Sequence, residues 1–133
     1  MNREIKFRAW HPLLCDMFDN VVIADGKALR RGYFATDVNT DFSDKLIIMQ
    51  YTGLKDKNGK EIYEGDIVQF KENYTNNPAD FTIGVITYDE EYAGFTIKSN
   101  QYQYGIGEDT ESFDIYSQVI GNIYENPELL TNN

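Results

Sequence analysis

The sequence predicts a mainly β protein: a small, partly open β-barrel of SH3-like size, with an N-terminal β extension and a short C-terminal helix. Three observations predict this class. Apolar and polar residues alternate over short segments, which is the period of a half-buried strand. Glycines interrupt these segments, as at the corners of a small, strongly bent barrel. The pair Asn58-Gly59 is a strong hairpin signal because Gly accepts a positive φ.

The first part of the chain, residues 1–45, is predicted to be the β extension. Residues Ile5 to Trp10 alternate, with Ile5, Phe7 and Ala9 on a buried face. Pro12 ends this strand because it lacks an amide donor. The apolar run within Phe18 to Ala24 predicts a second strand, which turns at Asp25-Gly26.

The barrel core, residues 46–124, is organised around the stretch from Leu46 to Phe70. An apolar run ends near Gly53, and a polar tip follows. Asp56 is expected to accept a hydrogen bond from the amide two residues on, in a turn that closes on a left-handed Gly59. Gly65 and Asp66 make a second bend, from which a further strand starts.

Three later strands complete the predicted barrel. Phe81 to Tyr88 forms a strand in which Gly84 indicates a bulge or a close crossing of another backbone. Phe95 to Lys98 returns as its partner. Gln118 to Tyr124 is the last strand, with its odd-numbered residues Val119, Gly121 and Ile123 on one face.

The tail, residues 125–133, is predicted to begin a short helix. Asn126 is a suitable N-cap, and Pro127 suits the first helical position. Because the chain has 133 residues and neither repeats nor low-complexity linkers, the length prior predicts one domain over residues 1–133.

Three segments resemble the YopX family of phage and prophage proteins. They are Ile5 to Trp10, Met49 to Val68 and Val119 to Leu130. They occur in the family's order, although His11-Pro12 stands where the family commonly has an acidic residue after Trp. The resemblance implies a mainly β fold and an origin in a mobile element. It supplies no catalytic residues, and the region from Tyr74 to Ser117 looks individual to this chain.

The formal net charge of −10 restricts the partners of the protein. Nucleic-acid binding depends on Lys and Arg that displace counterions from phosphate, and this chain has 12 of them against 22 acids. Direct nucleic-acid binding is therefore not expected. We also expect no membrane binding, because no apolar run approaches the ~18 residues of a spanning segment. The single Cys15 excludes an internal disulfide, and the absence of a secretion signal adds to the expectation of a bacterial cytoplasm.

Few residues are candidates for chemistry. His11, Cys15 and Asp16 are close in sequence, but a zinc site needs about four ligands, and the chain has one His and one Cys. We expect instead a loop His and a small, partly buried Cys. The segment from Asp56 to Gly59 lacks the EF-hand spacing, so no calcium loop is predicted. We predict no metal, no cofactor and no catalytic residues.

The turn at Asp89-Glu90-Glu91 is the remaining acidic cluster, and we expect it to be solvated rather than to bind magnesium. The polar segment around Tyr102 and Tyr104 has the composition of a contact surface, since Tyr offers a large area at a small entropic cost.

Three functional hypotheses remain open. The first is a non-enzymatic protein–protein binding or adaptor module, with a protein partner or self-association. The second is an acidic mimic of DNA that blocks a host enzyme. The third is an enzyme with an unrecognised carboxylate site at Asp66 or Glu64.

Overall fold

A computed structural model describes residues 4–19, 21–24, 27–30, 46–71, 81–100, 103–106 and 117–131. This part of the chain is mainly β, as predicted, with strands and one C-terminal 3-10 helix at Pro127–Leu130. In chain order the strands are β1 Phe7–His11, β2 Asp16–Phe18, β3 Val21–Ala24, β4 Lys27–Arg30, β5 Ile47–Lys55, β6 Glu61–Tyr63, β7 Asp66–Lys71, β8 Phe81–Asp89, β9 Gly94–Lys98, β10 Gln103–Gly105 and β11 Ser117–Asn122.

The chain forms two compact units, Met1–Tyr51 and Thr52–Asn133. In the first unit, β1 pairs in antiparallel fashion with β2 and with the start of β5. β3 and β4 pair with each other. The buried apolar side chains of this unit are Ala9, Trp10, Phe18, Met49 and Tyr51. The prediction of one continuous domain stays a prediction.

The second unit is built on an antiparallel sheet that curls into half a barrel. Its strand order is β10-β9-β8-β7-β11. The last residues of β5 and the neighbouring β6 also belong to this unit. Its core cluster consists of Ile62, Val68, Phe70, Ile86, Ile97, Ile106 and Val119, with Leu54 and Phe95 packed against it. The partly open barrel predicted from the sequence is confirmed in this form.

The structure corrects two predictions for the N-terminal residues. β1 is buried on both faces, since even Arg8 is buried, whereas its alternation predicted one exposed face. The segment from Phe18 to Ala24 was predicted as one strand, but β2 ends at Phe18 and β3 begins at Val21. Alternation records polarity, and it cannot predict that a charged residue such as Arg8 is buried.

Two more corrections concern the C-terminal residues. A bulge in β11 places Val119 opposite Val68 and Gly121 opposite Ile67. Because Ile67 and Val68 are consecutive, Val119 and Gly121 lie on opposite faces, not on one face as predicted. Asn126 precedes the 3-10 helix but makes no side-chain cap hydrogen bond. The predicted turn at Asp25-Gly26 and the predicted contact residue Tyr102 lie outside the described residues.

Candidate functional site

The turn between β5 and β6 is organised by the carboxylate of Asp56. Its Oδ1 atom accepts hydrogen bonds from the amides of Asn58 and Lys60, both at 2.9 Å. The chain reverses at Gly59, which has φ +80°. These are the turn contacts that the sequence predicts, including the amide two residues after Asp56. Asp56 is nevertheless only 5% exposed, which the polarity of the turn does not indicate.

The second carboxylate oxygen of Asp56 reaches a distant strand. The amide of Val119 donates to Asp56 Oδ2 at 2.9 Å, and the amide of Lys57 donates to the carbonyl of Ser117 at 3.0 Å. β11 is the last strand of the curled sheet, so its outer side would otherwise present these groups unpaired. The tip of the turn therefore supplies hydrogen-bonding partners for the backbone at the outer edge of β11.

The second bend uses Asp66 and Gly65 in a similar way. Asp66 is 2% exposed, and its Oδ2 accepts a hydrogen bond from the amide of Tyr63 at 2.8 Å. Gly65, at φ +84°, donates its amide to the carbonyl of Ile86 and accepts the amide of Ile123. The bend at Gly65 and Asp66 is confirmed. It fixes the corner between β6 and β7 through contacts with two other segments.

Thr52 and the C-terminal Asn residues also use their polar atoms for the backbone. The Thr52 hydroxyl donates to the carbonyl of Ile62 at 2.8 Å and accepts the amide of Leu54 at 3.1 Å. Asn126 Oδ1 accepts the amide of Asn122 at 3.2 Å. A Cβ on Gly121 would lie 2.6 Å from the same Oδ1 atom, so Gly at the bulge leaves room for this side chain.

The polar side chains of the central and C-terminal family segments thus have a structural role. Asp56, Asp66, Thr52 and Asn126 contact main-chain atoms and hold the strands in register. A carboxylate that accepts backbone amides is fixed in orientation. The candidate carboxylate at Asp66 is therefore part of a structural bend, and Glu64 is half-buried beside it.

His11 and Cys15 do not have the surroundings predicted for them. His11 is the last residue of β1 and is only 1% exposed, whereas a loop His was predicted. Its Nδ1 accepts the amide of Leu14 at 3.1 Å, and its ring packs edge-on against Phe18. Cys15 is exposed rather than partly buried. Pro12 ends the strand as predicted. The turn that follows places Cys15 at the surface, while His11 stays buried.

The turn between β8 and β9 is held by Asp89. Its Oδ1 accepts the amides of Glu91 at 2.9 Å and Tyr92 at 3.0 Å. Its Oδ2 accepts a hydrogen bond from Gln103 Nε2 at 2.7 Å. The Tyr92 amide, with smaller contributions from Gln103, Glu91 and Lys98, lowers the pKa of Asp89 below its ordinary value. The carboxylate thus orders the turn and links it to β10.

Two tyrosines that lie on the same face of the sheet, Tyr88 on β8 and Tyr104 on β10, form what we call the tyrosine set. Between 42% and 49% of each residue is exposed. Tyr88 packs edge-on against Phe95, with ring centroids 5.6 Å apart, and Tyr104 packs in the same way against Phe70 at 6.4 Å. Each ring is therefore supported on one side and open to solvent on the other.

Tyr92 is supported by a glycine. A Cβ on Gly105 would lie 2.6 Å from Tyr92 Cζ, so the Tyr92 ring occupies the space above a backbone that carries no side chain. Because Gly105 follows Tyr104 on β10, Tyr92 lies on the face of the sheet opposite to the tyrosine set. The sequence pointed to Tyr104 through its polar, Tyr-rich segment, but it did not single out Tyr88 and Tyr92. Their signal was available: both aromatic residues flank an acidic turn, where no core position is expected.

Within the described ranges, no group of three or more His, Cys, Asp and Glu side chains could hold a metal ion. The same residues include no helix that is long and apolar enough to cross a membrane.

The curled antiparallel sheet, with buried carboxylates that bind its main chain, defines a mainly β protein. Within that class, the chain belongs to the YopX family, whose profile, described as YopX protein, matches residues 6–131. The crystal structure of protein EF1440 from Enterococcus faecalis is similar, with a TM-score of 0.67 and 30% sequence identity. The similarity covers 97% of this chain and 99% of that chain. A search of curated proteins found no match.

Proposed function

We propose that this protein is a non-enzymatic binding module that contacts a partner protein through the tyrosine set. One observation carries the proposal: two large aromatic side chains on one face of the sheet are half-exposed, yet each is immobilised against the fold. Tyr provides a large contact area with few rotatable bonds, and prior immobilisation lowers the entropy lost on binding. The tyrosine set therefore has the properties of an interface centre.

The location of these residues supports the same proposal. Tyr88 and Tyr104 lie between the central and C-terminal family segments, in the region from Tyr74 to Ser117 that the resemblance leads us to expect to be individual to this chain. The family segments supply the framework contacts of Asp56 and Asp66. A shared framework that carries a variable contact surface is a common way to bind different partners on one fold.

The two alternatives have less support. An enzyme at Asp66 would need a carboxylate that is available to a substrate, and this carboxylate accepts a backbone amide at 2.8 Å. An acidic mimic of DNA would need its acids at the surface, where Glu90, Glu91 and other acids lie, whereas Asp56 and Asp66 are buried and contribute nothing to it. The origin in a phage or prophage and the bacterial cytoplasm remain expectations from the resemblance and from the single Cys15.

Affinity capture with the tagged protein, followed by binding measurements with the purified partner, tests the proposal. The test variant is Tyr88→Ser combined with Tyr104→Ser. We expect the dissociation constant to rise by about tenfold or more, since buried tyrosines dominate many interfaces. Unfolding curves establish that the variant remains folded.

The matched control is Phe81→Ser. Phe81 has the same exposed fraction as Tyr104, 42%, but lies at the opposite end of β8, about 23 Å from Tyr88 along the strand. We expect this control to bind as the unmodified protein does. Equal losses in both variants, or no loss in the double variant, would show that the tyrosine set is not the binding site.

A further inference from the structure

Asn58-Gly59 is the only Asn-Gly pair in the sequence, and it forms the tip of the turn between β5 and β6. The side-chain amide of an asparagine is open to attack by the main-chain nitrogen of the next residue, and glycine hinders that attack least because it has no Cβ. Both residues are exposed, and a Cβ on Gly59 would meet no atom within 4 Å. Water therefore reaches this pair, and side-chain packing does not block a reaction between the two residues.

The reaction open to this pair is conversion of the asparagine to aspartate. The Gly59 nitrogen gives its proton to a base and forms a bond to Cγ of Asn58, while the bond from Cγ to the side-chain nitrogen breaks and ammonia leaves. Water then opens the resulting cyclic imide at either carbonyl. One opening gives aspartate, and the other gives isoaspartate, in which the main chain runs through the former side chain. In total, asparagine and water give aspartate and ammonia.

The turn restrains the nitrogen that would attack. The Gly59 amide donates to the carbonyl of Asp56 at 2.9 Å. Loss of its proton would forfeit this hydrogen bond and leave a negative nitrogen facing a carbonyl oxygen. The amides on either side, those of Asn58 and Lys60, both donate to Asp56 Oδ1 at 2.9 Å. A rotation that turns the Gly59 nitrogen toward Cγ of Asn58 therefore disturbs a turn whose amides are all held by Asp56.

The same turn is docked on β11. Asp56 is 5% exposed, and its Oδ2 accepts the buried amide of Val119 at 2.9 Å. The Lys57 amide donates to the carbonyl of Ser117 at 3.0 Å. Opening of the turn would release these contacts as well. A reaction that needs local opening is slowed by the small fraction of time that the segment spends open.

We propose that Asn58 is a site of spontaneous conversion to aspartate and isoaspartate, and that the docking of its turn on β11 holds this reaction back. The neighbouring pair supplies the chemistry, and the distant strand sets its rate. Isoaspartate adds a main-chain carbon within the turn, which removes the spacing by which Asp56 meets the amides of Asn58 and Lys60. A turn that has reacted therefore docks less well than before. The proposal is independent of the tyrosine set and of any partner.

Mass spectrometry and an isoaspartate-specific assay, applied to the full-length protein at one pH and temperature, test the proposal. The product at residue 58 is followed in the native protein and in the protein unfolded by guanidinium. A synthetic peptide of residues 52–64 in the same guanidinium solution gives the unrestrained rate. We expect the unfolded chain and the peptide to react at similar rates, and the native protein to react at least about tenfold more slowly. Asn58→Ser, which lacks the amide, should abolish the signal and so assigns it.

A matched pair of variants tests the part played by docking. Asp56→Ala removes the contact with Val119 and the acceptor of the Asn58 and Lys60 amides, so we expect product to form at least about threefold faster than in the native protein. Asp89→Ala loosens the β8–β9 turn and should leave the rate at Asn58 unchanged. Unfolding curves show whether each variant is folded under these conditions. If Asp56→Ala is not, the comparison between the native and unfolded forms of the unmodified chain decides the proposal.

Several results would overturn the proposal. One is a native protein that reacts as fast as the unfolded chain. Another is a peptide that forms no product at residue 58. Equal acceleration by Asp56→Ala and Asp89→Ala, or a folded Asp56→Ala protein with an unchanged rate, would show that docking on β11 does not control the reaction.

Discussion

The β5–β6 turn and the β8–β9 turn use the same local chemistry for different purposes. In each, an Asp Oδ1 atom accepts two backbone amides of the turn: Asp56 accepts those of Asn58 and Lys60, and Asp89 those of Glu91 and Tyr92. In each, a residue with positive φ follows, Gly59 in the first turn and Ala93 in the second.

The two turns differ in what the second carboxylate oxygen contacts. Asp56 Oδ2 accepts the buried amide of Val119 on a strand 63 residues away. Asp89 Oδ2 accepts a hydrogen bond from the exposed side-chain amide of Gln103. The first turn thereby becomes part of the barrel framework, whereas the second holds Tyr92 at the surface. The same local contacts therefore hold a distant strand where they are buried and order a surface turn where they are exposed.

The largest expected effect is at Asp56. Asp56→Ala removes three hydrogen bonds and leaves the Val119 amide buried without its acceptor, so we expect the free energy of unfolding to fall by about 3 kcal/mol. The matched change Asp89→Ala should cost much less than Asp56→Ala, because its partners can bind water. Urea denaturation measures both. Equal losses would mean that burial does not distinguish the two turns.

Asp56→Asn refines this test. The amide oxygen can still accept from Asn58 and Lys60, while the amide nitrogen would face the Val119 donor. We therefore expect Asp56→Asn to lower the free energy of unfolding, but by less than Asp56→Ala does.

A smaller effect is expected where each turn adopts positive φ. Gly59→Ala should cost about 1 kcal/mol of unfolding free energy from backbone conformation alone, since no atom lies within 4 Å of the added Cβ. Ala93→Gly, at φ +57°, should relieve the corresponding strain and raise stability by about 0.5 kcal/mol. Thermal unfolding reports both signs. A stabilising Gly59→Ala would contradict the left-handed geometry.

The smallest effect is the pH dependence of the β8–β9 turn. The folded-state pKa of Asp89 lies below 3.8, chiefly because the Tyr92 amide donates to the carboxylate. A group with a lowered folded pKa adds stability that is present above its unfolded pKa and is lost as the pH falls through its folded pKa.

We therefore expect the difference in unfolding free energy between the unmodified protein and Asp89→Asn to shrink from about pH 5 to about pH 2. Carboxyl NMR titration measures the pKa directly. An Asp89 pKa above 3.8 would contradict the hydrogen bonds seen at this turn.

The sequence by itself determined the β class, the reversal at Asn58-Gly59, the contact of Asp56 with the amide two residues on, and the bend at Gly65. These features depend on contacts within a few residues, which turn residues and alternation record directly. The resemblance to the YopX family was also recognisable from the sequence, and the family profile matches residues 6–131.

Only the tertiary structure decided the burial of His11, the opposite faces of Val119 and Gly121, the partner of Asp56 Oδ2, and the exposure of Tyr88 and Tyr92. Each depends on which distant segments meet. Local polarity and spacing do not specify which distant segments come into contact, because those contacts follow from how the whole sheet curls.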